Sequence, residues 1–227
     1  MEGYMNIRDR IDENSSWVFS QQKLGDCPQV FPWWLLVWKG LCVLWFVFLR
    51  NGDVRFGPGV LAPSPPRQVN IVSPQSFPFK EYTITPLANF YIKAKVLSKK
   101  NYRWGRESNI SSVDLALGWG NMSDEDVLDL IDISQSNRWY RWRTDKFPIP
   151  RREIETHSGN MHLVPANQSV RSMINRTHKG DIVEFSGNLI RIDAKDGWHW
   201  VSSLSRDDTG SHSCELIWVE NFEIQKF

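Results

Sequence analysis

The longest apolar run in the chain, residues 31–49 (FPWWLLVWKGLCVLWFVFL), carries a single charge, Lys39. At about 1.5 Å per residue, a helix of that length covers roughly 28 Å, close to the hydrocarbon thickness of a bilayer. The dozen strongly apolar residues in it, among them Leu35, Val43 and Phe46, favour insertion by about 5 kcal/mol together, against about 2.5–3.5 kcal/mol for a central Lys. Insertion wins. Trp33, Trp34 and Trp38 near one end and Trp45 toward the other suit the interfacial zones. A buried core helix apolar on every face would need a large domain around it. The pattern therefore predicts one transmembrane helix through the lipid bilayer. It predicts no cleaved signal, since the apolar core starts far from Met1 and the small-residue site ending at Ala62 is followed by Pro63.

On either side the pattern changes. Residues 1–30 are polar without sustained periodicity, which predicts a poorly ordered leader. Residues 50–76 are punctuated by Gly57-Pro58-Gly59 and Pro63-Ser64-Pro65-Pro66, predicting an extended, semi-rigid Pro/Gly-rich stalk. From 77 to 227, short β-rich stretches alternate with turns. Ile92, Ala94 and Val96 take one face, and Tyr91, Lys93 and Lys95 the other. Residues 114–117, 138–143, 161–164, 182–185, 189–192 and 215–224 read as further strands, with a bend expected at Ser186-Gly187-Asn188. Ser123 with Asp126, and later Asn167, read as caps of short helices carrying Val127, Leu128 and Ile131, then Val170, Met173 and Ile174. Together these predict a mainly β domain with a few short helices, a barrel or a sandwich, behind one N-terminal transmembrane helix.

A net charge of +1 over 227 residues gives no reason to expect polyanion binding by bulk electrostatics. Only one of the three cysteines, Cys214, falls in the domain, so no disulfide forms within it and cysteine usage does not identify the compartment. Orientation is contested by the charges. Lys23 stands alone close before the span, whereas Arg50, Arg55 and Arg67 follow it, which taken literally places the domain in the cytoplasm. Long domains cross largely regardless of such counts, and the leader adds Arg8 and Arg10 farther out.

In residues 114–119 (DLALGW), 161–167 (MHLVPAN), 180–187 and 202–210 (SSLSRDDTG), the chain resembles a family of bacterial proteins with one N-terminal membrane anchor and no assigned activity. The resemblance covers roughly residues 69–224. It implies an inside N-terminus, an inner-membrane location and an exported, periplasmic β-rich domain. The acidic leader departs from the shorter, more basic one of that family.

Candidate chemistry is sparse. Asp208-Thr209-Gly210 spells the aspartic-protease triplet, but that chemistry needs two carboxylates in a buried apolar site and only one triplet is present, so it reads as a polar turn. His157 and His162, with Glu153 and Glu155 nearby, are ligand types without metal-site spacing. His199, His212 and Cys214 offer a base and a nucleophile that nothing fixes in space. No cofactor and no metal is expected. The feature that stands out is Arg138-Trp139-Tyr140-Arg141-Trp142-Arg143, backed by Lys146, Arg151 and Arg152. Such alternation suits a strand with a buried aromatic face, or a binding surface for an envelope protein or lipid head groups. It also suits stacking of single-stranded nucleic acid, a partner disfavoured on an exported domain. Candidate binding residues are Arg138, Trp139, Arg141, Arg143, Arg151 and Arg152, with Trp142 facing inward. The expected role is to bind or scaffold a partner without catalysis; a nucleic-acid-binding barrel on the cytoplasmic face is the alternative, and a hydrolase a more distant one.

Overall fold

In the computed structural model, which describes residues 52–205 and 214–225, the alternating stretch around Ile92 lies in a 20-residue strand, β3 (Tyr82–Asn101). Its inward row of Ala88, Phe90, Ile92, Ala94 and Val96 is fully buried. β3 runs antiparallel to β4 (Val113–Gly118) on one side and to β8 (Ile182–Ala194) on the other. β4 pairs antiparallel with β7 (Ser158–Pro165), and β7 pairs in parallel with β10 (Glu215–Ile224). β10 then returns antiparallel to β8. Two short strands flank the ring, β2 (Phe77–Phe79) on β3 and β9 (His199–Val201) on β8, and helix α1 (Arg106–Ile110) lies between β3 and β4. The ladder closes on itself, β3–β4–β7–β10–β8–β3. Helix α4 (Gln168–Arg176) follows the third strand of this ring, an arrangement shared with Greek-key barrels of the OB type. Its cap is Asn167, whose side chain accepts from the Val170 N–H at 3.0 Å.

The domain is mainly β, with a few short helices, as its patterning predicts. The ring encloses one apolar cluster, built from the inward row of β3 with Leu115, Leu117, Met161, Leu163, Phe185, Ile217 and Val219. A register shift between Pro86 and Ala88 turns β3 over, so Tyr82 and Ile84 join Ile190, Ile192 and Leu216 in a second cluster. Residues between β4 and β7, among them Met122, Ile131 and Ile154, join Leu97 of β3 and Ala116 of β4 in a third cluster.

Several local expectations change. β8 runs without a break through Ser186-Gly187-Asn188; the irregularity sits on its partner, between Val219 and Asn221. Gly187 is needed because the Trp218 carbonyl lies where its Cβ would be. Asp124, not Ser123, caps α2 (Glu125–Leu128), accepting from the Asp126 N–H at 3.0 Å. Ser123 Oγ instead accepts from the backbone of Leu61 and Ala62. Residues 52–76 run without helix, as their prolines require, and several of them, from Val54 onward, are tied to the domain. Val54 N–H donates to Lys179 O, Gly59 N–H to Asp124, and β1 (Arg67–Asn70) pairs with β3. The leader, the apolar run 31–49, Asp208-Thr209-Gly210 and His212 lie outside the described residues. Among the described residues, no helix is long and apolar enough to cross a membrane.

Candidate functional site

Because Val113, Leu115 and Leu117 point into the ring, Asp114, Ala116 and Gly118 face outward; by the same alternation Ser158, Asn160 and His162 of β7 do too. This outer face is covered. The hairpin of β5 (Asp132–Ser136) and β6 (Trp139–Arg143) lies over it and hydrogen-bonds to several of its polar groups. Gln135 Nε2 donates to Asn160 Oδ1 at 2.6 Å, Asn160 Nδ2 donates to Arg138 O at 3.0 Å, and the Tyr140 and Ser158 hydroxyls meet at 2.8 Å.

Arg138 is the pin. It is not part of the strand: with Asn137 it forms the two-residue turn of the hairpin, at φ 51° for Asn137 and 67° for Arg138. Left-handed backbone at a bulky residue carries strain. That conformation turns the guanidinium inward, where Nη1 donates to Asp114 Oδ1 at 2.7 Å and Nη2 to Ser111 O at 2.9 Å. The cation also lies 3.9 Å over the Tyr102 ring. Asp114 has no exposure to solvent. His162 Nδ1 stands 2.9 Å from its other oxygen, off the line of a hydrogen bond, with its ring 4.9 Å from that of Trp200. Of the binding residues expected from sequence, Arg138 is half-buried, pins the hairpin to the barrel, and also lines a pocket of about 290 Å³.

Four of the others, Trp139, Arg141, Arg143 and Arg151, converge on one cleft of about 650 Å³. Trp139, Arg141 and Arg143 share the exposed face of β6, while Tyr140 and Trp142 are half-buried against the third cluster. Trp119, Trp142 and Phe147 add aromatic surface; Glu155 and Glu215 add carboxylates. Arg151 stands on α3 (Arg151–Thr156), where Nε donates to Glu155 at 2.8 Å and the guanidinium lies 6.0 Å over Trp142. Arg152 neighbours it at the helix start, 3.9 Å from Glu155, and does not line the cleft. A smaller pocket of about 290 Å³ shares Trp139 and Cys214 with the cleft and is also lined by His162, His199 and Trp200. Among the described residues, no three His, Cys, Asp or Glu side chains are grouped to hold a metal ion.

Two predictions arise here. Trp142→Ala costs about 2–3 kcal/mol, part of the 3–5 of a fully buried Trp, whereas Trp139→Ala stays within about 1. Urea unfolding of the two variants checks this, and equal losses would refute it. The second concerns Tyr140, whose phenol is pushed up to about 12 by removal from water, against a smaller lowering by the Ser158 hydrogen bond. The folded state thus keeps a proton that the unfolded chain, at its ordinary value of 10.0, releases. Stability is unaffected below that value and falls as pH rises toward about 12, by at most about 1.4 kcal/mol per pH unit. Unfolding midpoints measured from pH 9 to pH 12 should fall less steeply for Tyr140→Phe than for the native chain. Comparison with protein-family models, with curated proteins and with solved structures finds no match to this chain.

Proposed function

We propose that the chain is a single-pass, membrane-anchored protein of the bacterial envelope whose periplasmic β-barrel domain binds a partner in the Trp/Arg cleft without catalysing a reaction. The observation that carries this is the cleft itself. An exposed strand face bearing Trp139, Arg141 and Arg143 meets Arg151 from a separate helix around one concavity, a combination of large aromatic area and cations typical of binding hot spots. The apolar run 31–49 supports the anchor, and the resemblance to anchored bacterial proteins supports the exported orientation. A second reading, a nucleic-acid-binding barrel on the cytoplasmic face, draws on the OB-type strand order. Against it stand Glu155 and Glu215 in the cleft wall, which repel phosphates.

The test has two parts. The full-length chain should stay with membranes through an alkaline carbonate wash, and a phosphatase fused after Phe227 should be active. Release by carbonate removes the anchor, and a β-lactamase or phosphatase reporter silent in the periplasm reverses the orientation. A binding partner identified by crosslinking to the native chain should be lost from a Trp139→Ala/Arg141→Gln double variant; equal crosslinking would refute the cleft.

A further inference from the structure

Among the described residues, β6 has one strand neighbour. It pairs antiparallel with β5, in a two-stranded sheet separate from the barrel ladder. The two-residue Asn137-Arg138 turn makes Ser136 and Trp139 a hydrogen-bonded pair. Antiparallel alternation gives the same state to Ser134–Arg141 and Asp132–Arg143. Tyr140 and Trp142 fall in the intervening pairs, so their N–H and C=O groups point away from β5. Among the described residues, nothing hydrogen-bonds those groups.

The cleft follows this open edge. Every residue of β6 lines it, those facing out and those facing in alike, together with Thr144. A cleft on one face of the strand would meet only alternate residues. Its floor is Trp119 with Ser158, Gly159 and Asn160 at the start of β7, beneath the hairpin. Unpaired backbone groups thus border a trough of about 650 Å³.

The chemistry of an unpaired strand edge selects its ligand. A row of N–H and C=O groups is matched in spacing by another extended backbone, which pairs with it as an added strand. A second copy of this chain fits poorly. Antiparallel pairing of β6 with β6 sets Arg141 and Arg143 of both copies on one face, where like charges repel. No net charge is demanded of the incoming segment, because Arg151 already donates to Glu155 at 2.8 Å and Arg143 reaches Asp132 at 3.3 Å. Its side chains alternate between the trough, lined by the rings of Tyr140 and Trp142, and the outer face beside Trp139 and Arg141.

We infer that the cleft takes an extended segment of a partner protein as an added strand on β6, with apolar residues facing Tyr140 and Trp142 and polar, uncharged ones beside Trp139 and Arg141. This rests on the proposed role of the cleft as a binding site and names the form of its ligand.

The experiment uses the full-length chain in detergent and three short peptides capped at both ends. One alternates valine and threonine, the second is the same peptide methylated on its valine amide nitrogens, and the third is methylated on its threonine amide nitrogens. Backbone hydrogen exchange of the protein is read residue by residue. The expected result is that the unmethylated peptide slows exchange at Tyr140 and Trp142 at least about tenfold. Exchange at Arg141 and Arg143, whose amides already pair with β5, changes little. One methylated peptide loses this effect and the other keeps it, because alternate amides of a strand point to opposite edges. Loss with methylated valine means antiparallel addition, and loss with methylated threonine means parallel addition. The native chain serves throughout, so no variant has to fold. Equal action of all three peptides, or protection at Arg141 and Arg143 in place of Tyr140 and Trp142, overturns strand addition. No protection by any peptide at about 1 mM, with partner crosslinking still lost from Trp139→Ala/Arg141→Gln, overturns strand addition and leaves the binding role of the cleft. Failure of both overturns the inference and the proposed function together.

Discussion

Arg138→Gly will unfold at a clearly lower urea concentration than the native chain, although glycine is the residue that the hairpin turn itself favours. Two effects oppose each other. Glycine relieves the left-handed backbone at φ 67°, a gain of about 1 kcal/mol. Removing the guanidinium, however, strands the carboxylate of Asp114, which has no exposure and receives Arg138 at 2.7 Å. Breaking one side of a buried pair costs about 3–5 kcal/mol. The net loss is about 2–4 kcal/mol, or 1–2 M in urea midpoint for a slope of about 2 kcal/mol/M. Adding Asp114→Asn to Arg138→Gly should recover most of it, since no buried charge then remains. If Arg138→Gly matched or exceeded the native stability, the turn strain rather than the ion pair would govern the hairpin.

Gly187→Ala will be the most damaging single-methyl change among the glycines within the barrel strands. A Cβ there would sit 1.9 Å from the Trp218 carbonyl oxygen and 2.9 Å from its carbon, both backbone atoms that no side-chain rotation can move. β8 and β10 must then separate where the bulge between Val219 and Asn221 already weakens the ladder. We expect at least about 3 kcal/mol of destabilisation, above the usual 1–3 of overpacking. Gly159→Ala is the matched control on β7, with nothing nearer than Glu215 Oε2 at 3.5 Å. It should stay within about 1 kcal/mol, because a strand interior otherwise favours alanine. Equal losses from the two would mean that strand glycines are costly to replace for some reason other than backbone approach.

What the sequence conveyed follows the range of the forces involved. Alternation through Ile92, Ala94 and Val96 is a local signal and gave the inward row of β3; Asn167 and Val170, three residues apart, gave the cap of α4. Trp142 inward and Trp139 outward followed from strand parity around Arg141. Arg138 misled because Asn137-Arg138 lacks the glycine that marks such turns, and the reason for its conformation, Asp114, lies 24 residues away. Asp114 itself reads as an incidental polar residue in DLALGW. Nothing local distinguishes an outward carboxylate in water from one sealed beneath a hairpin. Likewise Ser123 and Asp124 are equivalent caps by composition, and only the approach of Leu61 and Ala62 assigns each its role. Trp139, Arg141, Arg143 and Arg151 were legible as residue types near one another in sequence, but the contribution of Glu155 and Glu215 depends on how separate elements meet.

Closure of the ring also governs how the domain is made. The β3–β8 seam joins Ala94 to Val183, and β10, which bridges β7 to β8, ends at Ile224. Loop-closure entropy must be spent on contacts far apart in sequence before any of them is rewarded, which slows folding. A chain emerging from its N-terminal end exposes the apolar row of β3 long before its partners exist. The early, unpaired strand is therefore the aggregation hazard of this domain, and folding completes only when the last strand is released.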